Sequence, residues 1–372
     1  MQQMIGWATE SRYMPPWKAD PGYRTFAHQR YMDSTEIKTI QQWIATGSAV
    51  GKKTSRTTDV YKGTSRLQRT PDVVLKMKEA FPIPGNRQST YVCYKIPYEI
   101  ERDTFVNAIE FIPGNKQLVH HASCQVIAVA PDVTTTLGPD YFIYGQGQRV
   151  EDQKDYAYFN LIGKNGELPY EVFHFGWLPG SGPQQYPAQT GFRLPKKGVL
   201  LIRNLHYAPT AVPAMDQSSV HFYFATEAIR EVVQFAAFRP QKLYSDTTTW
   251  KIKADSVARY KIQVRFQDSI SLLAINPHMH LLGQTFKAFV VTEQHDTIPL
   301  VYIPKWDFNW QEFYTLEKPI RIPKGSMLYA YATYDNTRSN PYNPFDPPQD
   351  VFFERGMEDE DEMMRLVILY VK

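Results

Sequence analysis

Nine histidines stand in this chain of 372 residues, and five of them fall into groupings that could hold a metal. His278 and His280 lie two apart in Asn-Pro-His-Met-His-Leu-Leu-Gly. On an extended strand such a pair turns both imidazoles to one face, about 7 Å apart at the backbone, which one ion can bridge. His120 and His121 are adjacent in Leu-Val-His-His-Ala-Ser-Cys. A flat strand sends neighbours to opposite faces, so these two reach one ion only where the backbone twists or bulges. His206 ends the apolar run of Leu-Ile-Arg-Asn-Leu-His-Tyr. Taken singly, each grouping also fits histidines that are merely hydrogen-bonded or packed in a core.

A thioether is the other soft donor on offer. In the tail Asp361-Glu-Met-Met-Arg-Leu-Val-Ile-Leu-Tyr370, the apolar alternation predicts a strand. Met364, Leu366, Ile368 and Tyr370 then share the core face, whereas Met363 and Arg365 share the other. Met363 is thus the methionine free to serve a site, although an ordinary edge-of-core methionine is the competing reading. The acidic run Glu358 to Glu362 reads as a solvated loop.

The elements that must carry these residues are mostly strands. Short apolar or alternating runs recur at Thr104 to Phe111, Leu118 to Ala128, Val199 to Tyr207, Val220 to Phe224, Ala258 to Phe266, Ser326 to Thr333 and Leu366 to Val371. Pro, Gly, Asn or Asp bound each of them, a pattern of β-sandwich or jelly-roll domains. The stretch 88–372 exceeds one compact sandwich and divides near residue 227 into parts of similar size. Helix is expected only early, where Asp33 and Glu36 form a capping box ahead of Ile37, Ile40 and Ile44, and Gly47 ends it. Residues 51–87 read as a linker, polar apart from Val73-Val74-Leu75. The expected fold is mainly β: two consecutive jelly-roll sandwiches, 88–226 and 227–372, behind a short helical N-terminal segment.

Composition narrows the function classes. A net charge of +3 with 21% charged residues gives no basic field for a phosphate backbone, so nucleic acid is not the expected partner. No apolar stretch approaches the roughly 20 residues of a membrane-spanning helix. Residues 1–20 lack the pattern of a signal peptide. The two cysteines, Cys93 and Cys124, suffice for one bridge and leave the compartment open.

The order of these pieces resembles the copper type II, ascorbate-dependent monooxygenases, the family of peptidylglycine α-hydroxylating monooxygenase and dopamine β-monooxygenase. The His-His pair, His-Tyr, His-x-His and a terminal Asp-Glu-Met run occur in that family's order across residues 88–372. Tyr91-Val-Cys93, Lys324-Gly-Ser-Met-Leu and Tyr334-Asp-Asn-Thr add to it. Trp306-Asp-Phe-Asn-Trp310-Gln and Asn340-Pro-Tyr-Asn-Pro are similar to a bacterial branch.

The resemblance implies two coppers, one held by His120, His121 and His206 for electron transfer, the other by His278, His280 and Met363 where oxygen reacts. Three imidazoles hold both oxidation states, and a thioether favours Cu(I). It further implies a small organic substrate, molecular oxygen, ascorbate or another electron donor, and a periplasmic or extracellular bacterial setting. Peptide-amidating members place an arginine where this chain has Asn276, and Arg365 and Val367 replace an asparagine and a tyrosine after the ligand methionine. Peptide amidation is therefore not expected, and Asn276 and Arg365 become candidate substrate contacts, Arg365 for an acidic group. The family's disulfides are mostly missing, and a Cys93 to Cys124 bridge is the one pairing open to this chain.

Residues 1–50 are similar to the C-terminal part of a small c-type cytochrome. In that family the methionine of Met14-Pro-Pro-Trp17 is the axial haem ligand, and attachment needs an upstream Cys-x-x-Cys-His. Haem is expected only if a longer precursor supplies that motif, so the segment reads as truncated. Two other classes compete with the hydroxylase: a copper electron-transfer protein, and a sandwich module whose histidines are structural.

Overall fold

The computed structural model describes residues 2–51, 67, 69–144, 152–179, 181–240, 251–308, 310–352 and 361–372. Most of the expected linker (52–66 and 68), Asn309, and the acidic residues 358–360 lie outside the described residues. The protein is mainly β, with helices α1 (Gln2–Glu10), α2 (Ser34–Ala45) and α3 (Asp152–Tyr158).

In the first half the strands are β1 (Val73–Lys76), β2 (Phe81–Ile83), β3 (Thr90–Glu99), β4 (Thr104–Ile112), β5 (Val119–Ala128), β6 (Tyr141–Ile143), β7 (Tyr170–Trp177), β8 (Gln184–Gln185), β9 (Thr190–Leu194), β10 (Lys197–Tyr207), β11 (Ala214–Asp216), β12 (Ser219–Phe224) and β13 (Glu231–Val232). One sheet runs β1-β12-β4-β9-β13 with β8 on β4, and the other runs β6-β3-β10-β5-β7. They close on a shared core that includes Val92, Val126, Phe173 and Leu200 from one sheet and Ile109, Phe192 and Phe222 from the other. The outer face of the second sheet is covered as well, by Tyr156, Phe159 and Leu161 from α3 and the residues after it.

In the second half the strands are β14 (Gln234–Phe238), β15 (Lys251–Ile252), β16 (Val257–Arg265), β17 (Ile270–His278), β18 (Gly283–Val291), β19 (Thr297–Ile303), β20 (Tyr314–Ile322), β21 (Met327–Asp335), β22 (Val351–Phe352) and β23 (Arg365–Val371). The sheets β14-β23-β17-β20 and β16-β21-β18-β19 enclose a second core around Ile262, Phe286, Leu328 and Leu366. Both faces of β23 are covered: Leu366 and Ile368 point into that core, while Leu369 and Val371 join the first half's core with Leu273 and Ala274. Apolar burial of this kind ties the two halves together.

Three sequence expectations change. The stretch read as linker contains β1 and β2; β1 pairs with β12, Leu75 opposite Val220, because Val73-Val74-Leu75 can bury one face in a sheet that lacks an edge partner there. Cys93 and Cys124 are free and buried. They cannot bridge because β10 lies between β3 and β5, and Cys93 belongs to the core under α3 while Cys124 faces the core between the sheets. Finally, Glu362 is fully buried rather than solvated.

The capping box is formed: the Asp33 carboxylate accepts from the Thr35 and Glu36 amides, and Glu36 accepts from the Asp33 amide. The segment between α1 and α2 packs on the second core through Trp17, Ala19 and Phe26. Its backbone amides of Asp20 and Ala27 donate to the Tyr302 and Thr315 carbonyls, both at 2.8 Å. Met14 sits on that segment and is exposed. No helix among the described residues is long and apolar enough to cross a membrane.

Candidate metal centres

His120, His121 and His206 come together at the seam between β5 and β10. The bulge that adjacent histidines demand is present: His206 is opposite His121, but the next residue, Tyr207, is opposite Val119, which leaves His120 as the extra residue of β5. A second irregularity follows Arg203, where Asn204 takes a left-handed backbone with φ 46°. Asparagine tolerates that conformation better than most residues. As a result one nitrogen from each of the three rings lies within 4.8 Å of the others. The Nδ1 atoms of His120 and His121 are 3.4 Å apart.

The electrostatics suit a cation rather than protons. Burial drives His206 down to about 3, with His120 adding to the shift. His121 is lowered well below the ordinary range, by burial first and then by the neighbouring His206, His120, His278 and His280. Both ring nitrogens of His206 are buried and meet no hydrogen-bond partner, although its ring stacks on Tyr91 at 4.3 Å and 6°. A buried imidazole without a partner forfeits its hydration, and a metal ion would restore that loss. Three neutral imidazoles are a donor set that copper accepts.

The second group lies where β17 ends and β23 begins, in the middle of a sheet of the other half. His278 ends β17 opposite Arg365 of β23, and its ring stands 5.1 Å from that of His280 at 84°. His280 Nδ1 is 2.9 Å from the Asp361 carbonyl, so Nδ1 carries the proton and Nε2 is left as the donor. Gln311 Oε1 engages His278 Nδ1 in the same manner. Burial, His280 and Arg365 together hold His278 neutral. Met363 precedes β23, is 3% exposed and lines the same cavity as both rings, whereas Met364 enters the core. Glu362 accepts from the backbone amides of His280 at 3.0 Å, Leu282 at 2.7 Å and Met363 at 3.1 Å. Its burial raises the carboxyl to about 8 against the pull of those three donors.

One cavity of about 380 Å³ connects the groups, lined by His121 and Tyr91 from the first half and by His278, His280 and Met363 from the second. Asn276 and Arg365 also line it, and the Asn276 amide donates to the Glu312 carbonyl at 2.9 Å. Trp177, Phe235, Phe308 and Phe313 supply apolar walls.

Sequence reasoning missed a polar row on the same wall. His174 Nδ1 lies 3.0 Å from Glu171 Oε1, and its Nε2 lies 3.3 Å from Ser123 Oγ. The residues Glu171 and His174 meet because Val172 is an extra residue in β7, which breaks the alternation. Nothing in Glu-Val-Phe-His marks that bulge in advance. Gln311 and Glu362 were missed for a similar reason, since both reach the histidines only through long-range contacts.

Residues 244–371 match the family model "Copper type II ascorbate-dependent monooxygenase, C-terminal domain". This stretch is similar to that family's C-terminal domain. The match covers β15 to β23 and with them His278, His280 and Met363. Tyramine beta-hydroxylase of Caenorhabditis briggsae is 22% identical over 297 residues, 74% of this chain and 46% of that protein. The chain thus spans about half the length of its curated relative. Among solved structures, PNGF-II is 7% identical with a TM-score of 0.21, covering 82% of this chain and 62% of that one. Infectious bursal disease virus Gx strain is 10% identical with a TM-score of 0.18, covering 81% and 77%. At such scores neither bears on the fold.

Proposed function

We propose that the protein is a copper-dependent monooxygenase that hydroxylates a C–H bond of a small organic substrate, taking oxygen from O2 and electrons from ascorbate or another external donor. In this reading one copper is held by His120, His121 and His206, and a second by His278, His280 and Met363. The observation that carries it is the meeting of two donor sets at one cavity, the three-histidine cluster reaching it through His121 and the set of His278, His280 and Met363 lining it from the other half.

The balance of such a reaction fixes what the protein must supply. RH, O2, two electrons and two protons give ROH and water. Bound copper would contribute one-electron redox chemistry and oxygen activation. The protein's own part is positional. Gln311 and the Asp361 carbonyl hold the protons of His278 and His280 on Nδ1, which turns the remaining nitrogens outward. The aromatic walls limit water in the cavity and present a surface to an apolar substrate body. Arg365, beside His278 in the cavity, would hold an acidic substrate group, with Asn276 next to it in the wall. In this proposal the expected domains 88–226 and 227–372 become β1 to β13 and β14 to β23, each a jelly roll bearing one copper, with a cytochrome-like segment at 1–50 in which Met14 would serve haem only in a longer form.

Copper analysis tests the reading. The intact protein should bind two coppers per chain and consume O2 in step with a hydroxylated product when reductant and substrate are supplied. A His278→Ala, His280→Ala double variant should keep about one copper and a reducible Cu(II) paramagnetic signal. Loss of both ions from that folded variant would make the sites one cluster and end the two-site reading.

A further inference from the structure

The tripeptide Asp361-Glu362-Met363 and the turn His280-Leu281-Leu282 are bound to each other through the Glu362 carboxylate, beside the bond from His280 Nδ1 to the Asp361 carbonyl. Oε2 of Glu362 accepts from the His280 and Met363 amides at 3.0 and 3.1 Å, and Oε1 accepts from the Leu282 amide at 2.7 Å. The carboxylate is wholly removed from solvent. A buried carboxyl group is kept only where fixed donors replace its water. Here those donors are main-chain groups of the two segments that carry His280 and Met363. Two further bonds hold the outer sides of the pair: Trp306 Nε1 donates to the His280 carbonyl at 3.1 Å, and Tyr334 Oη donates to the Met363 carbonyl at 2.8 Å.

We propose that Glu362 is a positioning residue for the His-His-Met centre, fixing the spacing between the His280 imidazole and the Met363 thioether so that one cuprous ion meets both. The inference rests on the copper reading given above. Met363 lies just before β23, which begins only at Arg365, and just after Glu362, whose backbone amide donates to the Phe352 carbonyl at 3.1 Å. A flexible thioether placed there would sample many positions, and the carboxylate removes that freedom one peptide unit from the donor. Glu362 does not touch the cavity itself, which is lined by Met363 and His280, so its effect passes through the backbone of those two residues.

Glu362→Gln tests this with little change of volume. The amide retains one acceptor oxygen and turns an N–H toward a backbone N–H, so one end of the clamp opens. Full-length protein is loaded with Cu(I) against a competing chelator, and the copper–sulfur contribution is read by X-ray absorption. Wild type should show one sulfur-bearing copper. In Glu362→Gln that copper should bind on the order of 10–100-fold more weakly, as for other partners that orient metal ligands, with a diminished sulfur signal. The copper of the three-histidine site and the unfolding temperature of the first half should stay as they were. Glu362→Asp, which keeps the charge but draws it back by one methylene, should fall between the two and serves the same reading if the glutamine variant does not fold. Unaltered affinity and sulfur scattering in a folded variant would overturn the proposal, as would simultaneous loss of both coppers and of folded protein in both variants, which would make Glu362 a residue of folding. Absence of any sulfur-bearing copper in wild type would instead overturn the copper reading beneath it.

Discussion

Acidifying the copper-free protein should cost it the stability that depends on a neutral His206, and the size of that loss can be worked out for this one residue. In the folded state His206 titrates at about 3 because it is buried beside His120, whereas an unfolded imidazole titrates near 6.5. Above pH 6.5 the ring is neutral in both states and contributes nothing. Below that value the unfolded chain takes a proton that the folded chain refuses, so stability falls as pH falls, down to the folded value. Between pH 7 and pH 5 the loss from His206 alone is about 2 kcal/mol. The lowered titrations of His121 and His278 act in the same direction, and the raised one of the Glu362 carboxyl acts against it, so the total for the whole protein is a balance of these groups. Urea unfolding of the apo-protein at the two pH values measures the total, and the same pair of measurements on His206→Asn isolates the residue. The variant should be less sensitive by about 2 kcal/mol whatever its stability at pH 7. Equal losses in the two proteins would refute the reasoning.

Met363→Leu should retain about one copper with near-normal binding while losing most reductant-dependent oxygen consumption; unchanged turnover would remove this methionine from the centre. Thiol titration without reductant should find no reactive group in the native protein and two after denaturation, because Cys93 and Cys124 are free and buried, with the Cys93 thiol pushed up to about 12 by burial; a silent denatured chain would show that a bridge exists. Replacing Arg365 with Ala should raise KM for substrates that carry an acidic group and leave it unchanged for neutral ones, whereas an equal effect on both would assign Arg365 to the structure of the site.

The strand-rich class was legible in the sequence by itself, and so were most of the side chains proposed as donors. The alternation in the tail separates Met363 from Met364, and the close spacing of His278 and His280 keeps both rings in one cavity even though β17 ends at His278 and His280 lies beyond it. The first is a local property of a two-residue period, legible wherever a strand is regular. The irregular positions were decided by the tertiary structure. His120 joins His121 and His206 because β5 gains a residue against β10, and Glu171 reaches His174 because β7 gains one against β5; a bulge depends on what both partners' registers require, which no single run of residues states. The free cysteines follow from the strand that pairing order inserts between them. Glu362 is the clearest case. Its neighbours Asp361 and Glu360 make it look solvated, and only the approach of the turn at His280, eighty-two residues earlier in the chain, supplies the main-chain donors that let a carboxylate lie buried.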